Sequence, residues 1–171
     1  MAIPNFNYLA PTTLKEALTM RVNHGAKSSI MAGGTDLLIK MAHRNHHSEY
    51  VIGLNNVADI DYIRFNENGD LSIGPMAKLS TVMDHPAIVT HFPALSHSSG
   101  VTATVQIRNM STLIGNIVNA SPSADNATPL LVSDARIVIM HEGGEREIPL
   151  FEFFLGFGNS VMKPTELIKE M

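Results

Sequence analysis

The chain has 171 residues, of which 44% are hydrophobic, 16% charged and 6% aromatic. That suffices for one ordinary domain or two small lobes around a real core, and it excludes a disordered chain or a multi-domain enzyme with several cofactors, so partners are expected to complete any chemistry. Its 12 basic and 16 acidic residues give a net charge of -4, which argues against nucleic acid, and cysteine is absent, which excludes disulfides, thiolate-held clusters and a cysteine nucleophile in this sequence.

The opening segment has no signal-like apolar stretch and no run of about 18 apolar residues occurs, so a soluble, cytoplasmic protein without a membrane span is expected. After Pro11-Thr12-Thr13, the spacing of Leu14, Ala17, Leu18 and Val22 predicts an amphipathic helix that ends at Asn23-His24-Gly25. Apolar runs at Ser28–Met31 and Tyr50–Leu54 flank Ala32-Gly33-Gly34-Thr35-Asp36 and a helix-dense stretch from Leu37 to Met41. Strand, glycine loop, short helix, strand is the simplest reading.

Beyond Val57 the pieces shorten. Tyr62–Phe65 and Leu71–Gly74 around Asn66-Glu67-Asn68-Gly69-Asp70 predict a hairpin; a helix follows with Ser80 as its cap; another spans Pro86 to Ser99, broken or kinked at Pro93. Residues 100–129 are rich in small polar side chains, with only Arg108 and Asp125 charged. A second hairpin is expected from Ala135–Met140 into Arg146–Leu150, and Phe151, Phe153, Phe154 and Phe157 are expected in the core. The fold class is α+β: a small N-terminal lobe over residues 1–54 and a larger, mainly antiparallel lobe over 55–171.

Two loops carry the chemistry. In Ala32–Asp36 the glycines permit positive φ and let several N–H groups converge ahead of a helix, which suits a phosphate or pyrophosphate; the same pair also serves as an ordinary tight turn. Thr35 can donate a hydroxyl or cap the helix, and Asp36 is expected to accept backbone N–H bonds in its first turn. In Thr112–Asp125, a lone glycine, asparagines, hydroxyls and one aspartate with little bulk suit a flat ligand or a diphosphate, or else a buried loop whose polar groups satisfy one another. Together the two loops point to a dinucleotide.

The segments AGGTDLLIK and VQIRNMSTLIGNIVNASPSADNATPLL resemble the FAD-binding subunit or domain of the molybdenum hydroxylases, a family that includes xanthine, carbon monoxide and nicotinate dehydrogenases. The similarity runs from FNYLAPTTLKEAL to KPTELIKEM. It implies the two-lobed FAD-binding fold of p-cresol methylhydroxylase type. It further implies that Ile30, Met31, Ala32, Gly33, Gly34, Thr35, Asp36 and Leu37 wrap the FAD pyrophosphate, and that Thr112, Leu113, Ile114, Gly115 and Asn116 form a second pyrophosphate loop, with Thr112 and Asn116 as side-chain donors. Asp125 matches an aspartate that contacts FAD, Thr102 lies against the cofactor, and Ile168 lies beside the flavin or adenine.

By the same resemblance, electrons leave a molybdopterin-binding large subunit, cross a [2Fe-2S] small subunit and reach FAD here before passing to NAD or another acceptor. The sequence departs from the family at Ile114, where a glycine is usual, and it lacks the cysteines of the variant with an inserted iron–sulfur loop. Family members continue into a further small domain, so the chain is expected to be a fragment or a minimal relative. The alternative is a non-catalytic assembly or nucleotide-binding module without FAD.

Two other features carry less. His43, His46 and His47 have metal-compatible spacing on a helix but no matching carboxylate, so a solvent-facing helix end is expected there and no metal. Arg108 is expected to bond backbone carbonyls or to offset cofactor charge, and no general acid or base is assigned.

Overall fold

A computed structural model describes residues 3–171. The N-terminal part is built on β1 (Asn7–Leu9), α1 (Leu14–His24), β2 (Ser28–Met31), α2 (Leu37–Ala42) and β3 (Tyr50–Gly53). Thr13 caps α1 by accepting the Glu16 N–H at 3.1 Å, Glu16 in turn accepts the Thr12 N–H at 2.7 Å, and Gly25 ends the helix at φ 50°. The three strands are parallel in the order β1-β3-β2. As the central strand, β3 is covered on both faces, and Val51 and Ile52 are fully buried. The pairing of β1 was not legible in Asn7–Leu9, a three-residue edge strand without alternation.

The rest is antiparallel where it forms sheet. Strands β4 (Ile63–Phe65) and β5 (Leu71–Ile73) make the expected first hairpin. Next come α3 (Leu79–Asp84), α4 (Pro86–His91) and α5 (Pro93–Val101). Helix α3 starts before Ser80: Lys78 is its N-cap, because the backbone there is held by a bridge to Thr112 rather than by a hydroxyl. Pro93 divides the expected long helix in two, since its ring forbids the helix to continue from Phe92.

The small-residue stretch is largely helical: α6 (Val105–Arg108), α7 (Leu113–Val118) and α8 (Ala127–Val132). The chain ends with β6 (Arg136–His141), β7 (Gly144–Pro149), α9 (Leu150–Phe153), β8 (Phe154–Gly156), β9 (Asn159–Ser160) and β10 (Leu167–Glu170). Strands β6 and β7 form the second expected hairpin, and β10 adds antiparallel to the other edge of β6, with Ile168 opposite Ile139.

Buried apolar side chains form two clusters. One joins Ala17, Ile52, Leu54, Val57, Ile60 and Leu167; the other centres on α3, α5, α7 and β6, with Leu79, Leu113, Ile117, Ile137 and Phe153 fully buried. Of the phenylalanines expected in the core, Phe153 is there, but Phe151 and Phe157 are 69% and 79% exposed. Helix α9 is one turn long and presents Phe153 inward, which directs its neighbour Phe151 outward.

Candidate functional site

Parallel sheets offer ligands a crevice beyond the carboxyl ends of their strands. Here the loop after β2 faces the start of α7 across a cleft of about 670 Å³, within the size range of ligand sites. Its walls include every expected residue from Ile30 to Leu37, with Thr102, Thr112, Ile114, Gly115, Asn116 and Ile168. Two expected residues stand apart. The side chain of Leu113 is fully buried in the core and its amide donates to the Ala77 carbonyl at 3.0 Å. Asp125 is exposed behind Thr102, whose hydroxyl lies 3.3 Å from its carboxylate.

The first loop is shaped by two different demands on its glycines. Gly34 takes φ 73°, the left-handed region that disfavours a side chain. Gly33 has no positive φ, contrary to the expectation for the pair; it is required by contact, because a Cβ there would lie 2.1 Å from the Met110 carbonyl oxygen. The two loops therefore touch through backbone. Among the described residues, none of the amides from Ala32 to Leu37 donates to a protein acceptor. A run of unpaired N–H groups along a cleft is a fitting cradle for an anion.

Asp36 does not bond the first-turn amides; it stands as N-cap of α2 without a side-chain hydrogen bond, exposed at the rim of the cleft. Thr35 is not the cap. Of the three histidines, His43, His46 and His47 all follow the end of α2 at Ala42, so their helical spacing is not realised. His46 instead meets the hydroxyls of Ser29 at 2.7 Å and Ser48 at 3.0 Å. Burial, then the charges of Lys40, His47 and Arg21, hold its pKa below the ordinary imidazole value.

On the second wall, Thr112 caps α7 by accepting the Gly115 N–H at 3.1 Å, which leaves its own hydroxyl proton available to the cleft. Ile114 occupies the next helical turn with no positive φ, so its β-branched side chain is accommodated; it covers the floor at 4% exposure. Arg108 donates to the carbonyls of Thr102 and Ala103 at 3.0 and 2.8 Å and so holds the left-handed turn at Ala103, φ 51°. That is the first of its two expected roles.

Sequence reasoning missed several residues of the cleft. Lys40 bridges the walls by donating to Asn119. Ser111 Oγ is buried with no hydrogen-bond partner among the described residues, an orphaned polar atom in the cleft lining. Glu166, 3% exposed, accepts from Arg146 at 2.9 Å and from the Lys163 amide at 2.8 Å. Burial pushes its carboxyl upward, but these bonds and charges outweigh it, and its pKa lies below the ordinary value. Behind the cleft, Asn126, fully buried, bonds Ser98, Ser99, Thr102 and Asn116. It directly precedes α8 but makes no side-chain cap there; its side chain turns inward instead.

Comparison with known proteins matches residues 4–171 to a family described as the FAD binding domain in molybdopterin dehydrogenase. The chain is 33% identical over 162 residues to a putative xanthine dehydrogenase FAD-binding subunit of Escherichia coli K12, covering 95% of this chain and 55% of that protein. It is 30% identical over 171 residues to the nicotinate dehydrogenase FAD-subunit of Eubacterium barkeri, covering 98% and 57%. A solved structure of carbon monoxide dehydrogenase from Hydrogenophaga pseudoflava superposes with a TM-score of 0.94 at 28% identity, covering 99% of this chain and 59% of that one. The chain thus spans between 55% and 59% of the length of these relatives.

Proposed function

The chain belongs to the family of FAD-binding domains of molybdopterin dehydrogenases, and from that membership we propose that it holds FAD as part of an electron-transferring, molybdenum-hydroxylase-type oxidoreductase. The observation that carries this reading is the unbroken run of amides from Ala32 to Leu37 without acceptors among the described residues, facing the Thr112–Asn116 turn across the cleft. In this reading those amides bind the diphosphate of FAD, and the Thr112 hydroxyl and the Asn116 amide add donors from the opposite wall. Ile30, Met31, Ile114 and Ile168 supply apolar wall, while Thr102 and Asp125 border the site at its edge. The lobes of residues 1–54 and 55–171 close on the cofactor from two sides.

When bound, the isoalloxazine of FAD supplies the redox chemistry, and the protein supplies position, electrostatics and exclusion of water. Lys40 sets a cation across the mouth of the cleft by its bond to Asn119, which suits a dianionic ligand. The electrons are proposed to arrive from a molybdopterin-binding large subunit through a [2Fe-2S] small subunit and to leave to NAD or another acceptor. The relatives named as FAD subunits of xanthine and nicotinate dehydrogenases, and the family's description as a domain of molybdopterin dehydrogenases, support an assembly of several subunits. A cytoplasmic location belongs to the same proposal and is checked by cell fractionation.

The test is optical. Purified protein titrated with FAD is expected to show the flavin absorption bands and to quench flavin fluorescence at stoichiometric ratio. A colourless preparation that takes up no added FAD overturns the proposal. Reconstitution with the partner subunits and substrate then tests the electron route, by the bleaching of the flavin bands.

A further inference from the structure

The most highly bonded polar side chain beside the cleft never reaches it. Asn126 is 0% exposed and sits between α5, α7 and the turn at Thr102. Its orientation follows from counting protons. Thr102 Oγ1 lies 2.8 Å from the Ser98 carbonyl and 3.3 Å from Asp125 Oδ2, and both are acceptors, so the one hydroxyl proton of Thr102 is spent on them. Toward Asn126 that oxygen can only accept. The Asn126 atom facing it at 3.3 Å is therefore the amide nitrogen, and the Ser98 and Ser99 hydroxyls donate to Oδ1 on the other side at 2.8 and 2.9 Å. The second proton of the same nitrogen meets Asn116 at 3.2 Å, so Asn116 must turn its Oδ1 inward.

We propose that Asn126 is a positioning residue that fixes the flip of the Asn116 amide, so that Asn116 offers the cleft only N–H donors. An unconstrained asparagine presents its acceptor as readily as its donors, and an acceptor against a diphosphate is repulsive. By occupying Oδ1, Asn126 removes that wrong state before any ligand arrives. Thr102 belongs to the same relay: its hydroxyl orients Asn126, and Asn126 orients Asn116. The inference rests on the FAD reading for the identity of the ligand, but the orientation itself is a property of the protein alone.

The experiment compares Asn126→Ala, Asn116→Ala and the double variant by FAD titration, together with the side-chain amide resonances of Asn116 in the ligand-free protein. Asn126→Ala is expected to weaken FAD binding about tenfold in the native background, the size of one favourable hydrogen bond to a charged group. It is expected to change affinity less than twofold when Asn116 is already alanine, because it acts through that residue. Equal losses in both backgrounds overturn the proposal and mark Asn126 as purely structural. If wild-type protein takes up no FAD, or if Asn126→Ala does not fold, a milder variant decides on the free protein. Thr102→Val, which removes the oxygen that orients Asn126, should then shift the Asn116 side-chain amide resonances. Unchanged Asn116 resonances in that variant overturn the positioning role, whereas absent FAD uptake alone overturns only the cofactor reading.

Discussion

The α-carbon of Gly33 abuts the carbonyl of Met110: a Cβ on Gly33 would lie 2.1 Å from that oxygen and 2.8 Å from the α-carbon of Ser111. Two loops far apart in sequence are thereby locked together by backbone contact, with no side chain between them. Gly33→Ala is therefore expected to cost about 3 kcal/mol through overpacking and to abolish FAD binding, because the backbone oxygen it meets cannot swing away. Gly34→Ala, strained by φ 73° and meeting only side-chain atoms, the nearest being the Met31 sulfur at 3.2 Å, should cost about 1 kcal/mol and retain measurable binding. Thermal melts and FAD titrations of both variants check the order; equal effects would refute the contact as the cause.

Leu113 separates stability from binding. Its side chain is fully buried and absent from the cleft walls, so Leu113→Ala should lose about 2–5 kcal/mol of stability. FAD affinity measured well below the melting point should stay within about twofold of wild type, since the site keeps all its donors.

Lys40 should contribute a screened charge. Replacing it with Gln is expected to weaken FAD binding by a few-fold at low salt, and the difference should shrink at high ionic strength because the ammonium is solvent-exposed. Titration at two salt concentrations measures it.

The half-buried Arg146–Glu166 ion pair predicts an acid limb. Because the Glu166 carboxyl is held below its ordinary value of 4.5, the folded protein binds this proton less readily than the unfolded chain. The associated stability is complete above that ordinary value and is lost as pH falls through the lower, folded one. Glu166→Gln should flatten that limb in denaturant titrations at acid pH, and an unaltered limb would count against the assignment.

Tyr62 predicts the opposite limb. Burial, followed by the 2.5 Å hydrogen bond it donates to Glu170, raises its phenol from 10.0 to about 12. The neutral phenol is favoured in the folded state, so its contribution is complete below pH 10.0 and fades as pH rises toward about 12. Difference ultraviolet titration of wild type against Tyr62→Phe should isolate one phenolate that ionises at the high end.

What the sequence determined alone was local. Thr13 and Gly25 bound α1, the apolar runs around Ala32–Asp36 made a strand-loop-helix-strand unit, Pro93 split a helix, and the turn residues set both hairpins. These features depend on backbone preferences and apolar spacing within a few residues, which are written directly in the chain. Tertiary structure decided everything that depends on which distant atoms meet. It sent Leu113 into the core and Phe151 into solvent, and it gave Gly33 a reason unlike that of Gly34. It also gathered Asn126, just ahead of α8, and Asn116 of α7 into one hydrogen-bonded relay. Such pairings follow from packing and from the need of each buried polar group for a partner, and neither can be read from spacing along the chain.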